Sequence, residues 1–447
     1  MTGGNNIEKS LFELIQVAAG NRSALSSVPT QQEWQQLYGL LSKHTLLGIG
    51  YVAIQKLPEE QWPPKMLVLK WTSVATAISH QNKTLNEECK SLCEEFRHEG
   101  VASVVIKGQS NLENYPEELR WYRTPGDIDL WCQARNGVEI GEMVNGEVVK
   151  SEFHGIAGVI EYCKQYERCR GRDIPWHRVL YYHCELKSDN GIAIEPHYRI
   201  SYLHSPVRNH RLQKWFKEQF DICLQNKCQL GFPVLTSSVN VVYQLVHLYR
   251  HVFEGGVGLR QLMDYYFALR VWHNDVMECK DLQSQGMWSE GLVTPVMSAQ
   301  EVMAVLRSFG MGKFAGAVMW VLNEVFVGVN ENENGPRRTR RDTEGGPQAD
   351  FVGEQVLITD ERLMINDYPW LLCEPNEREG RKLLAEIMKG GNFGQYDTRG
   401  ATLKNGGMVK HGIWKLKRVM RLMGSYPEEA LWEPVFRVWH LGWRLIH

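Results

Sequence analysis

The chain has 447 residues, 43% hydrophobic and 23% charged, with a formal net charge of −2. That is enough apolar material for a sizeable core, in roughly two to four domains. A near-neutral balance excludes a general electrostatic case for nucleic acid or an anionic membrane, so any anionic ligand must be held by local charge.

In chain order, apolar residues recur at helical spacing in Ile7–Ala19, Trp34–Gln55 and Lys65–His98, so residues 1–99 read as a helical region. The first residues lack the basic start and apolar run of a signal peptide. No segment approaches the ~18 apolar residues of a membrane helix. Cys89 and Cys93 lie four apart on a predicted helix without a second Cys/His pair at zinc-ligand spacing. All ten cysteines therefore read as reduced thiols, and the expected location is cytoplasmic.

Gly100 ends the third helix, and the β-branched run Val101–Ile106 predicts a buried strand. Asp127–Gln133 predicts a second strand, Asn136–Lys150 a turn or hairpin, and Glu152–Arg170 a helix. Arg178–Ile200 reads as a hairpin around Asn190-Gly191. Residues 100–205 thus form a small mixed sheet with flanking helices, giving an α+β chain. Residues 206–328 return to helical spacing, with two helices joined by Glu254-Gly255-Gly256. A polar, Gly-rich stretch at 329–356, containing "RRTRR", reads as a mobile loop. The last region, 357–447, ends in a basic amphipathic helix (410–421) and a Trp-rich helix. On the latter, Trp432, Val435, Phe436, Trp439, Trp443 and Ile446 share one face, expected to pack on the rest of the fold.

The chemistry concentrates in "KGQSNLENYPEELRWYRTPGDIDLWC" (Lys107–Cys132). Asp127 and Asp129, at i and i+2 of a strand, project to the same face. Close carboxylates repel one another, so a cation is the usual reason for such a pair. Glu195 in the hairpin adds a third acid, with Asp173 and Glu185 as alternatives and Arg199 as a rival partner for it. Three acids from two strands suit two divalent ions, which clamp the attacking and leaving oxygens of a phosphoryl displacement. Oxygen ligands suit Mg2+. A turn at Gly108 lets backbone amides approach a triphosphate. Lys107 and Arg123 supply charge for phosphates, although Arg123 equally fits a solvated loop charge. His197 can orient Glu195 or touch nucleotide. His247 and His251, four apart on one helix, lack an obvious third metal ligand; with Arg260 and Asp264 they suit a structural or substrate-facing hydrogen-bond network. The basic helix 410–421 reads as the solvated face of a packed helix.

"VVIKG", "GDIDLW", "IEPHYR" and "HLYRHVF…GLRQLMD" together resemble the uncharacterised bacterial nucleotidyltransferases of the polymerase-β-like superfamily. The resemblance runs from about Leu11 to the "YPEEALWEPVFRVW" terminus. It implies a small mixed α/β core embedded between helical regions. It also implies magnesium-dependent transfer of a nucleoside monophosphate from a nucleoside triphosphate (ATP the expected donor), with pyrophosphate released. By position, Gly108 takes the turn glycine, Asp127 and Asp129 the metal pair, and Glu195 the third acid, with Ser110 beside the triphosphate. The acceptor, whether a small molecule, a glycan precursor or a protein, carries no readable code. The chain departs from the pattern at Gln109, where the superfamily has Gly or Ser after the turn glycine. That departure motivates two other readings: a non-catalytic nucleotide-binding module, or an interaction protein docking a partner through its Trp-rich end.

Overall fold

The computed structural model describes residues 3–144, 147–284, 296–328, 370–399 and 407–446. The loop expected at 329–356 falls outside the described residues. Helices α1 (Gly3–Ala19), α2 (Gln31–Lys43), α3 (Leu47–Lys56) and α4 (Lys65–His98) open the chain, and a one-turn α5 (Glu117–Arg120) follows in the loop after the first strand. The single helix expected over Trp34–Gln55 is two. Thr45 adopts φ +57°, a left-handed conformation that stops α2. The break lets Leu37 and Leu41 of α2 and Ile49, Val52 and Ala53 of α3 enter the same core. Thr30 and Glu33 cap α2 reciprocally.

The sheet contains β1 (Val101–Val105), β2 (Ile128–Val144), β3 (Glu147–His154), β4 (Leu186–Lys187) and β5 (Ala193–His197). Its order is β1-β2-β5-β4, with β3 paired to the far end of β2. The β2–β5 pair is parallel and the other pairs are antiparallel. The turn or hairpin expected at Asn136–Lys150 is part of the long β2–β3 ribbon. That ribbon takes Glu152–His154, so α6 starts later than expected, at Gly155, and ends at Arg168. The hairpin expected over Arg178–Ile200 turns at Ser188–Gly191 but pairs over only short strands.

Strand alternation sorts β2 between two layers. Ile128, Leu130 and Cys132 pack with Leu92 and Phe96 of α4 and Val159 and Tyr162 of α6. Trp131 belongs to the opposite cluster, edge-on to Phe216 and Phe220 of α7 (Pro206–Gln225). Asp127 and Asp129 share the parity of Trp131, so they face the helical body rather than the α4–α6 layer. That body is built on α8 (Ser237–Glu254) and α9 (Leu259–Ser284), joined through Gly255-Gly256. The segment 391–394 lies against this joint: a Cβ on Gly394 would come within 1.9 Å of the Gly255 carbonyl oxygen.

The basic helix (Met408–Leu422) buries Trp414, Val419 and Arg418. The Arg418 guanidinium donates to the Val252 carbonyl at 2.9 and 3.1 Å. The C-terminal helix (Pro427–Ile446) stacks Phe436 on Tyr202 at 4.8 Å and sets Trp439 and Trp443 against Tyr181. Trp432, Val435 and Trp439 of the same face stay 39–54% exposed, so only part of that face is covered. No helix is long and apolar enough to cross a membrane among the described residues.

Candidate metal and nucleotide site

Parallel register sets Asp129 directly beside Glu195 across β2 and β5. Asp127 precedes β2 on the same face. One carboxylate oxygen from each of Asp127, Asp129 and Glu195 lies within 4.8 Å of the others. Asp129 is buried, Glu195 partly buried and Asp127 exposed. The crowding leaves a mark on Asp127: the neighbouring Asp129 charge, aided by desolvation, pushes its carboxyl up to about 6.

Lys107, at the end of β1, places Nζ 2.6 Å from Asp129 Oδ1 and 4.0 Å from Glu195 Oε2. Burial opposes its charge, but Asp129 and Glu195 outweigh that and hold the ammonium well above its ordinary value. His197 Nε2 stands 3.0 Å from Asp129 Oδ1 and 3.3 Å from Glu195 Oε2. Against the penalty of burial, the His197 bond and Lys107 keep Glu195 well below the usual carboxylate range.

Gly108 has φ +59°, the left-handed conformation that favours glycine at this turn. The following 3-10 turn runs Gly108–Asn114. Gln109 is buried beneath it, donating to the Asn82 carbonyl at 3.0 Å and Asn86 Oδ1 at 2.7 Å. Its amide clamps the turn to α4 and does not line the cavity over the acids. Ser110 lines a separate cavity with Asn226, Thr236 and Asn240.

The cavity over Asp127 and Asp129 is lined by Lys107, Gly108, Asn111, Arg123, Gln244, His247, Arg260 and Asp264, with Phe393 at its edge. The two arginines differ. Arg123 is buried and gives Nε and Nη2 to the two oxygens of Asp264 at 2.6 and 2.7 Å. Tyr115 donates its hydroxyl to the same carboxylate at 2.6 Å. Among the described residues Arg260 makes one bond, from Nη1 to the Thr124 carbonyl at 2.7 Å, and its buried Nε has no hydrogen-bond partner there. Burial, together with the Arg123 charge, pushes Arg260 down to about 10. No carboxylate is in ion-pair contact with it among the described residues.

His247 and His251 stand edge to face at 4.2 Å, with Phe393 5.0 Å from His251. Burial pushes both imidazoles down, His251 to about 3, so both are neutral at pH 7. Of the residues singled out in the sequence, Asp127, Asp129, Glu195, Lys107 and His197 form one cluster. Gly108, Arg123, His247, Arg260 and Asp264 line the adjoining cavity, His251 lies behind His247, and Ser110 faces elsewhere.

Sequence reasoning missed Phe393, His183 and Gln244. Phe393 arrives from 145 residues beyond Leu248, and only Gly391 and Gly394 around it mark an unusual backbone. His183 follows two tyrosines and lies in an isolated bridge to His197 rather than in a strand, so no strand pattern marks it.

The three carboxylates and their placement on two sheet strands fit divalent-cation ligation and the handling of phosphate. No curated protein and no solved structure matches the chain. A family model described as uncharacterised nucleotidyltransferase matches residues 30–286, which span α2 to α4, the sheet with α6, and α7 to α9. The chain belongs to this nucleotidyltransferase family.

Proposed function

We propose that the protein transfers a nucleoside monophosphate from a nucleoside triphosphate, ATP the expected donor, to an acceptor hydroxyl, phosphate or side chain, releasing pyrophosphate. The observation that carries this reading is the convergence of Asp127, Asp129 and Glu195 on one sheet face. All-oxygen donors suit Mg2+, and two ions would be held, Asp127 and Asp129 serving both and Glu195 one. When bound, the ions stabilise the attacking and leaving oxygens and lower the acceptor's pKa.

The chain's own residues supply position and charge. Gly108 opens the backbone toward the phosphates. Lys107 and Arg260 face the cavity as cations, and Arg260 Nε and the Tyr243 hydroxyl are buried donors with no partner among the described residues, available to an anion. Arg123 acts through Asp264, holding the Tyr115–Asp264 wall in place. His197 fixes the orientation of Asp129 and Glu195. Neutral His247 and the Phe393 ring line the side where a base or acceptor can rest without adding charge.

A screen of the four ribonucleoside triphosphates for magnesium-dependent pyrophosphate release, run against metabolite and protein pools, tests the reading. The expected result is release with one or more triphosphates that is lost in Asp127→Asn. Binding of MgATP with no release against any pool would instead identify a nucleotide-binding module.

A further inference from the structure

His183 has no part in the reading above. It is bridged antiparallel to His197 across the hairpin, which brings the two rings to one face with centroids 4.8 Å apart. The side chain is 3% exposed, and neither ring nitrogen has a hydrogen-bond partner among the described residues. A buried imidazole without partners is unfavourable unless something else uses its lone pair.

The surroundings show what can. His183 Nδ1 stands 3.7 Å from Glu195 Oε2, and His197 Nε2 stands 3.3 Å from the same oxygen. One ligand atom from each of the three residues lies within 4.8 Å of the others. Ligands about 2.0–2.1 Å from one tetrahedral zinc ion stand about 3.4 Å apart. The two measured separations bracket that value.

We propose that His183, His197 and Glu195 form a transition-metal site, fit for Zn2+, Co2+ or Cu2+, beside the all-carboxylate pair. Imidazole donors suit such ions, whereas carboxylate and water suit Mg2+. Three protein ligands leave a further position for water or a substrate oxygen. The inference shares Glu195 and His197 with the proposed function; with metal on His197 Nε2, that nitrogen no longer holds Asp129, which keeps Lys107. The two sites differ in donor type, so the wall around Glu195 would hold a harder ion on the Asp127 side and a softer one on the His183 side.

The test uses the full chain titrated with Co2+, followed by visible ligand-field absorption and calorimetry. Wild type should bind one equivalent with a visible band. Asp127→Asn should keep the band, and His183→Gln should weaken binding at least tenfold. A band unchanged in His183→Gln, or lost in Asp127→Asn, overturns the site. Pulsed electron paramagnetic resonance on Cu2+-loaded wild type needs no variant, because imidazole suits Cu2+. Imidazole nitrogen couplings support the site, and their absence overturns it. Co2+ binding through His183 in a protein that releases no pyrophosphate would keep the site and remove the transfer reading. Magnesium-dependent release without nitrogen-ligated metal would do the reverse.

Discussion

Arg123 and Asp264 lie 141 residues apart in the chain and close a two-point ion pair that is buried on both sides. The pair joins the loop before β2 to α9, so it holds the cavity wall together rather than offering a free charge. Arg123→Gln should therefore cost about 3–5 kcal/mol of stability, because Asp264 is left buried and unpaired. Arg260→Gln should leave the melting temperature nearly unchanged while raising the KM for nucleotide. Thermal melts and saturation kinetics on both variants check the contrast. Equal loss of stability in the two would place Arg260 with the structural group.

Asp127 carries the electrostatic cost of the acid cluster. With its folded pKa pushed up to about 6, above its ordinary value of 3.8, the metal-free fold binds this proton more tightly than the unfolded chain. Its contribution to stability is present below about pH 4 and lost as pH rises through about 6. Metal and proton compete for the same carboxylate, so Mg2+ affinity should strengthen across pH 5 to 7. Asp127→Asn should flatten that dependence, hold or raise metal-free stability at neutral pH, and cut transfer by orders of magnitude. Calorimetric metal titrations at several pH values read the first effect. A wild-type affinity that is flat across this range would count against Asp127 as a ligand.

From the sequence, relief of like-charge repulsion would be expected equally at Asp129, and the structure reverses that. Asp129 is buried against Lys107 at 2.6 Å and against His197 at 3.0 Å. Asp129→Asn should lower metal-free stability, since Lys107 keeps only Glu195, at 4.0 Å. Melts without added metal decide it. A variant as stable as wild type would mean that Lys107 finds another partner.

Gln109→Ala removes both hydrogen bonds from the phosphate-side turn to α4 and leaves Asn86 Oδ1 without its donor. A loss of about 1–3 kcal/mol is expected. The KM for nucleotide should also rise, because Gly108 is no longer held. A change in stability without any change in KM would confine Gln109 to packing.

Phe393 is 37% exposed with φ +50° at the cavity edge. If a base rests on it, Phe393→Ala should weaken nucleotide binding by about 1–3 kcal/mol, the usual value of one base–aromatic stack. The melting temperature should barely move. Fluorescent-nucleotide titration measures it, and unchanged affinity would assign the ring to the Gly255-Gly256 joint alone.

The acids were legible in the sequence because Asp129 and Glu195 lie on strands and Asp127 just before one, where parity assigns a face: Asp127 and Asp129 by the i, i+2 rule, and Glu195 by the hairpin's turn residues. Lys107 and Gly108 followed from sitting at a strand end. The role of Arg123 was not legible, because its partner lies on a helix far along the chain and no local pattern records such a pairing. Gln109 looked like a defect in the phosphate turn for the same reason. The long β2–β3 ribbon was shortened because Gly137 and Gly141 read as punctuation, while the pairing that overrides them is tertiary.

The parallel pairing of β2 with β5 also fixes when the site can exist during folding. A hairpin can close locally, but Asp129 reaches Glu195 only after β3, α6 and β4 have been laid down between them. Such non-local pairings pay their loop-closure entropy before contacts reward it, and so form slowly. A chain with β1, β2 and β3 already paired would still have Asp127 and Asp129 without their third acid. Metal binding of the three-acid kind therefore belongs to the finished fold. Added to the refolding protein, a divalent ion should slow unfolding more than it speeds folding.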